Sequence, residues 1–144
     1  MDDVKATLSK IPKSHFHLVK QYKFHIQDGN TLNNDKKHVG EIDEKNKKIT
    51  VAAPWNYGRE FTILHEVAHA VWKYKMTPDL KKEWEQLIKK TKKEMMEKNK
   101  ENKDSIDQNP EELFSMAYAN TYAKHKNETY AHDAWNNFIK AVPQ

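Results

Sequence analysis

The chain contains no cysteine, so no disulfide can staple it and no thiolate can ligate a metal; any metal site must draw on His, Asp and Glu. Nor is there a run of about 18 apolar residues, the length a helix needs to cross a bilayer. Long blocks of one charge sign are missing too. The formal charge is +4, but the lysines alternate with acids, as in "KKEWEQLIKKTKKEMMEKNKENK", which reads as a solvated helix face rather than a nucleic-acid-binding patch. No internal repeat is visible. The start, "MDDVKATLSKIPKSHF", is acidic and has no apolar core of the kind a signal peptide carries. These absences lead to the expectation of a cytoplasmic protein with neither a membrane nor a nucleic acid as partner.

What is present suffices for one folded domain spanning residues 1–144. Although charged residues make up 32%, four Trp, six Tyr and five Phe can build a modest core, so the chain is too aromatic to read as disordered.

Along the chain, "DDVKATLSK" and "KSHFHLVKQ" suggest short helices separated by Pro12, and "YKFHI" a strand ending at the turn "QDGN". "KHVGEID" and "KKITVAA" flank the polar turn "EKNK" as a hairpin closed by Pro54. From about Tyr57 to Lys75, Phe61, Leu64, Ala68, Val71 and Trp72 recur at helical spacing. Thr77 and Pro78 then cap a long helix with a narrow stripe of Leu80, Trp84, Leu87, Ile88, Thr91 and Met95, which weakens toward "NKENKDS", read as a loosely ordered linker. "NPEELFSMAYANTYAKH" opens with an Asn cap and a first-turn proline and continues as an apolar helix to about Lys124. A last helix in "YAHDAWNNFIKAV" packs through Ala134, Trp135, Phe138 and Ile139.

The helix over "TILHEVAHAVW" holds the chemistry. Residues four apart share a helix face one turn apart, so His65 and His69 can aim ring nitrogens at one point, with Glu66 beside them. Chance alone would place an H-E-x-x-H pattern in about one such sequence in thirty, so the pattern by itself decides little. Its surroundings decide more: Ile63, Leu64, Val67, Ala68, Ala70 and Val71 leave three polar groups in an apolar segment, a cost that a shared cation offsets. Imidazole suits zinc, and one zinc ion is the expected cofactor. Two histidines leave a tetrahedral ion short of one protein ligand, for which Glu111, Glu112, His125 and His132 are the downstream candidates. Glu112 shares a face with Ser115, Met116 and Ala119, while Glu111 points about a quarter-turn away. Both glutamates also fit a plain role as acids at a helix N-terminus.

"LHEVAHAVW" followed by "EELFSMAYA" resembles the zinc and glutamate helices of gluzincins, metallopeptidases that use two His and a downstream Glu. The longer strings "VAAPWNYGREFTILHEVAHAVW" and "EELFSMAYANTYA" resemble small metallopeptidases encoded by tailed bacteriophages, over most of the chain from about Ile11. The resemblance implies a compact α+β zincin-like domain. In it a small three-stranded sheet packs on the zinc helix, followed by a long linker helix, a glutamate helix and a C-terminal helix. It implies His65, His69 and Glu112 as zinc ligands and Glu66 as general base. Many gluzincins also place an acid four residues after the ligand glutamate to orient a histidine, but Met116 stands there, so either Asn120 or a main-chain carbonyl substitutes or the metal is held less firmly.

The reaction so implied is hydrolysis of a peptide or protein substrate. Gluzincins commonly stabilise the oxyanion with a Tyr or His; the pool here is Tyr118, Tyr122, His125, Tyr130 and His132, with Tyr122 and His125 favoured. The strand "KKITVAA" is expected to offer an edge to an extended peptide. His15, His17, His25 and His38 lack ligand spacing and read as structural or surface residues. Two rival readings stand beside the enzyme: a phage virion or assembly component that keeps zinc for stability only, and a regulatory domain that binds or cleaves one host or phage protein.

Overall fold

The structure is a computed structural model that describes residues 2–27, 40–52, 56–124 and 126–143. Two short helices, α1 (Asp2–Leu8) and α2 (Lys13–Val19), precede strand β1 (Lys23–Gln27). Pro12 separates the helices: it has no amide hydrogen to donate, and its fixed φ suits the residue before a helix start. The hairpin follows as β2 (Gly40–Asp43) and β3 (Lys48–Ala52), joined by the expected polar turn. The "QDGN" turn beyond Gln27, the first residues of "KHVGEID", and Pro54 lie outside the described residues.

β2 pairs antiparallel with β3, placing Ile42 opposite Ile49, and β1 pairs parallel with β3, placing Phe24 opposite Ile49. The strand order is β1-β3-β2. β3 therefore has a neighbour on each side, which corrects the expectation that "KKITVAA" presents a free edge. β1 and β2 are the outer strands of the described sheet. Ile49 and Val51 are fully buried and belong to the same core as the helix that follows.

That helix, α3 (Asn56–Lys75), is the axis of the molecule. Ile63, Leu64, Val67, Ala68, Ala70 and Val71 are all without solvent exposure, so apolar groups surround it on most sides. It packs against α1, α2, β2, β3 and, most extensively, α5 (Pro110–Tyr122). Small buried residues on both partners, Ala68 and Ala70 on one and Ser115, Ala117 and Ala119 on the other, favour close approach of the two backbones.

Between them runs α4 (Pro78–Lys98), capped by the Thr77 hydroxyl, which accepts from the Leu80 amide at 3.1 Å. The stretch after it is not a loose linker. Lys100–Ser105 forms a 3-10 helix, and Ile106 is fully buried behind it. One apolar anchor in a charged run is enough to order a short segment, because burying an Ile contributes roughly 1.5–3 kcal/mol. The chain ends in α6 (Asp133–Ala141), which buries Trp135 and Ile139.

Trp84 of α4 sits at the centre of an aromatic cluster, with ring centroids 5.8 Å from Phe114, 5.6 Å from Trp135 and 5.2 Å from Phe138. Its indole nitrogen donates to the Pro110 carbonyl at 2.8 Å. This bond ties α4 to the first turn of α5, the turn that carries Glu111 and Glu112.

At the far end of α3, Glu44 in the hairpin turn accepts hydrogen bonds from the Tyr22 hydroxyl at 2.7 and 2.9 Å and from Lys73 Nζ at 3.1 Å. Lys47, held at φ 51°, places its ammonium 5.1 Å from the Tyr22 ring and 2.8 Å from the Tyr74 hydroxyl. A non-glycine residue in the left-handed region is uncommon, and here the side chain's contacts to two rings and a carboxylate offset the cost. The clip fastens the hairpin to α3 and so holds sheet and helix in register. No helix among the described residues is long and apolar enough to cross a membrane.

His15 is fully buried, as a structural histidine should be. Its Nδ1 accepts from the Tyr118 hydroxyl and its Nε2 donates to the Pro143 carbonyl, each at 2.9 Å, joining α2, α5 and the chain end. Burial pushes its pKa below the ordinary value, against the opposing pull of that carbonyl. With the folded pKa below the unfolded one, the unfolded chain binds the extra proton; the His15 contribution to stability is complete above about pH 6.5 and is lost as pH falls below it. We expect His15→Gln to cost about 1–3 kcal/mol at pH 7.5. Urea unfolding of wild type and variant between pH 5 and 7.5 should show the gap shrinking toward low pH; a constant gap contradicts the assignment.

Candidate metal centre

α3 brings His65 and His69 onto one face because they are four residues apart, and α5 brings Glu112 to that face. Asn109 caps α5, its side-chain oxygen accepting from the Glu112 amide at 2.9 Å, and Pro110 occupies the first turn. The cap uses the main chain of Glu112 and leaves its carboxylate free to point at the histidines.

The two Nε2 atoms stand 3.2 Å apart. One carboxylate oxygen of Glu112 lies 3.2 Å from His65 Nε2, and the other lies 3.3 Å from His69 Nε2. His65, His69 and Glu112 together form a group able to hold a metal ion. The expected ligand set is thus brought to one point.

Glu111 supplies what the sequence left without an owner. Its carboxylate accepts from His69 Nδ1 at 2.6 Å, which fixes the ring orientation and leaves Nε2 facing the site. This corrects the expectation that Asn120 or a main-chain carbonyl takes that role. Asn120 is buried and accepts from the Asn127 amide at 2.5 Å, holding the loop after α5. The quarter-turn offset that makes Glu111 a poor ligand is what lets it reach behind the His69 ring.

Solvent reaches the site from the α5 side: the histidine side chains are 13% and 15% exposed, against 35% for Glu112 and 42% for Glu111. Glu66 is buried, and its charge raises the pKa of His69. Burial pulls His69 down, but Glu112, Glu111 and Glu66 outweigh it and raise the ring to about 9. His65 and His69 in turn hold the Glu112 carboxyl well below the usual carboxylate range. Three carboxylates around two imidazoles make a locus that demands positive charge. A proton on His69 meets the demand in small part; a dication meets most of it.

The remaining candidates are elsewhere. His132 caps α6, Nδ1 accepting from the Ala134 amide at 3.1 Å, and its Nε2 faces Glu94 at 3.2 Å. Tyr122 packs against Tyr118 with centroids 4.9 Å apart, and burial raises its pKa. Ten residues separate it from Glu112, about 15 Å of axial rise on one helix. His125 and His38 lie outside the described residues. Tyr130, by contrast, stacks on Phe61, one turn before His65, with centroids 6.5 Å apart. Its raised pKa comes from burial, opposed by Ser105 and Gln108, with a smaller push from the Glu112 charge. The residues carry no spacing that would have singled Tyr130 out, because it comes from a 3-10 turn, Glu128–Tyr130.

No protein-family model matches this chain, nor does any curated protein or any solved structure.

Two outcomes follow from the geometry. Removing the support behind His69 with Glu111→Ala should weaken metal affinity by about 10–100-fold without unfolding the protein, read by competition against a chromogenic chelator; unchanged affinity contradicts the role given to Glu111. Because His69 titrates near 9 in the metal-free protein, metal loading at pH 7 should release about one proton per ion, fading above pH 9. Calorimetric titration in buffers of different ionisation heat measures that proton directly.

Proposed function

We propose that the chain is a zinc-dependent metallopeptidase of the gluzincin type, hydrolysing peptide bonds within a peptide or protein substrate. The observation that carries the reading is the convergence of two imidazole nitrogens and one carboxylate at 3.2–3.3 Å separations. For a tetrahedral ion with bonds of about 2.0–2.1 Å, neighbouring donors stand ~3.3 Å apart, which the two Nε2 atoms match, while Glu112 sets one oxygen near each ring. The donor chemistry agrees: two imidazoles and a carboxylate select against magnesium and calcium, which prefer oxygen. Among the described residues three protein ligands converge, a number that suits a catalytic site, which keeps one position for water. The resemblance of "FTILHEVAHAVW" and "EELFSMAYANTYA" to phage-encoded peptidases points the same way.

When bound, zinc would supply Lewis acidity, lowering the pKa of water and polarising a carbonyl. The protein groups do the rest. His65, His69 and Glu112 hold the ion, and Glu111 keeps the His69 ring in its ligating orientation. Glu66, adjacent to His65 and buried, accepts the proton of the attacking water and returns it to the leaving amine nitrogen. Of the two donors expected for the oxyanion, Tyr122 lies about 15 Å along α5 from Glu112, too far to reach it, and His125 stays the proposal. An extended substrate would pair with an outer strand, β1 or β2, because β3 is covered on both sides.

A second reading is favoured by one feature: the ligands come from α3 and α5, the helices with the most extensive contact, so an ion would staple the core even without catalysis. A metal-stabilised phage assembly or regulatory protein would look the same here. The two readings part at Glu66. Glu66→Gln should retain stoichiometric zinc and lose cleavage of a peptide library by about a thousandfold or more. Mass spectrometry of the digest checks it: wild-type cleavage that is metal-dependent and absent from the variant supports the peptidase, and no cleavage by either supports the stapling role.

A further inference from the structure

α4 has a second face that the core and the metal site do not use. Lys89, Lys92, Lys93 and Lys103 surround a surface hollow with Met96 and Glu97, between the C-terminal half of α4 and the 3-10 segment after it. The charges do not cancel. Lys92 is paired with Asp107 at 3.0 Å, and Glu97 is paired with Lys100 at 2.8 Å. Lys89, Lys93 and Lys103 are exposed and left over. Three unpaired lysines thus surround the hollow, and the one glutamate in its lining already has a lysine partner outside it.

We infer that this hollow on α4 is a docking site for an acidic peptide segment of a protein partner, with Lys89, Lys93 and Lys103 contacting its carboxylates and Met96 an apolar side chain between them. Charge complementarity selects an anionic occupant. Two features select a peptide over a nucleic acid. The lining contains no aromatic side chain on which a base could stack. Glu94, Glu97 and Glu101 recur through the same stretch and break the continuous positive track that a phosphate backbone needs. Met96, partly buried and packed on the core at the foot of the hollow, offers an adaptable apolar contact that a polyphosphate cannot use. The site owes nothing to the metal centre and does not rest on the peptidase reading.

The test is fluorescence anisotropy with a labelled Glu-rich peptide bearing one central Leu, and a single-stranded oligonucleotide of equal charge, at low and at physiological salt. The full-length protein should bind the peptide more tightly than the oligonucleotide. Lys89→Glu/Lys93→Glu/Lys103→Glu should weaken peptide binding by about tenfold or more, whereas the control Lys13→Glu/Lys20→Glu/Lys23→Glu, with the same change of charge on α2, its C-cap and β1, should weaken it by no more than about twofold. Glu66→Gln and removal of metal by chelation should leave it unchanged. All six lysines are exposed, and circular dichroism confirms that both triple variants stay folded. Equal loss in the two triple variants, tighter binding of the oligonucleotide, or no binding of the peptide by wild type would each overturn the assignment.

Discussion

The structure depends on one crossing: the close approach of α3 and α5, which brings His65, His69 and Glu112 to one point with Glu111 behind the His69 ring. Every other element serves that approach. The sheet and the two N-terminal helices bury the remaining sides of α3, so it cannot turn its histidines elsewhere. α4 spans the distance between the two helices and, through the Trp84 indole on the Pro110 carbonyl, sets where α5 begins. Because Glu111 and Glu112 follow that proline directly, a shift of α5 by one residue would remove both acids from the site. Packing thus fixes an electrostatic arrangement that would be unfavourable in an uncommitted core.

The arrangement divides labour between adjacent residues. Glu112 faces the pair of Nε2 atoms, while Glu111 holds His69 from its other nitrogen. Consecutive residues on a helix are offset by about a quarter-turn, so two neighbouring acids can grip the same ring from two sides. An acid one turn further along would reach a histidine from a different angle, and Met116 at that place leaves the position apolar. The chain meets the same need by a shorter route.

Much of this was legible in the residues. The helices over α3, α4, α5 and α6 follow from 3.6-residue periodicity and from the Thr77-Pro78 and Asn109-Pro110 starts, signals that depend only on neighbours in sequence. The two histidines of the metal-ligand group follow from spacing, while face-sharing leaves Glu112 one of four candidates and the resemblance to gluzincins singles it out. Contacts decided at a distance are not legible in the residues. The parallel pairing of β1 with β3 leaves no trace in either strand's alternation, so the central position of β3 was missed. The ordered stretch after α4 hangs on the single residue Ile106, too sparse for a periodicity to register. Glu111 was set aside because a ligand and its support need different directions, and a helical wheel shows direction without showing what waits there.

Central to the account is a cation held jointly by His65, His69 and Glu112, and X-ray absorption at the zinc edge of the purified, zinc-loaded protein examines it most directly. One ion per chain is expected, in a four-coordinate shell of nitrogen and oxygen at about 2.0–2.1 Å, with the multiple-scattering signature of two imidazoles, lost on His69→Ala. A shell of six oxygens without imidazole scattering, or no stoichiometric ion, would contradict it.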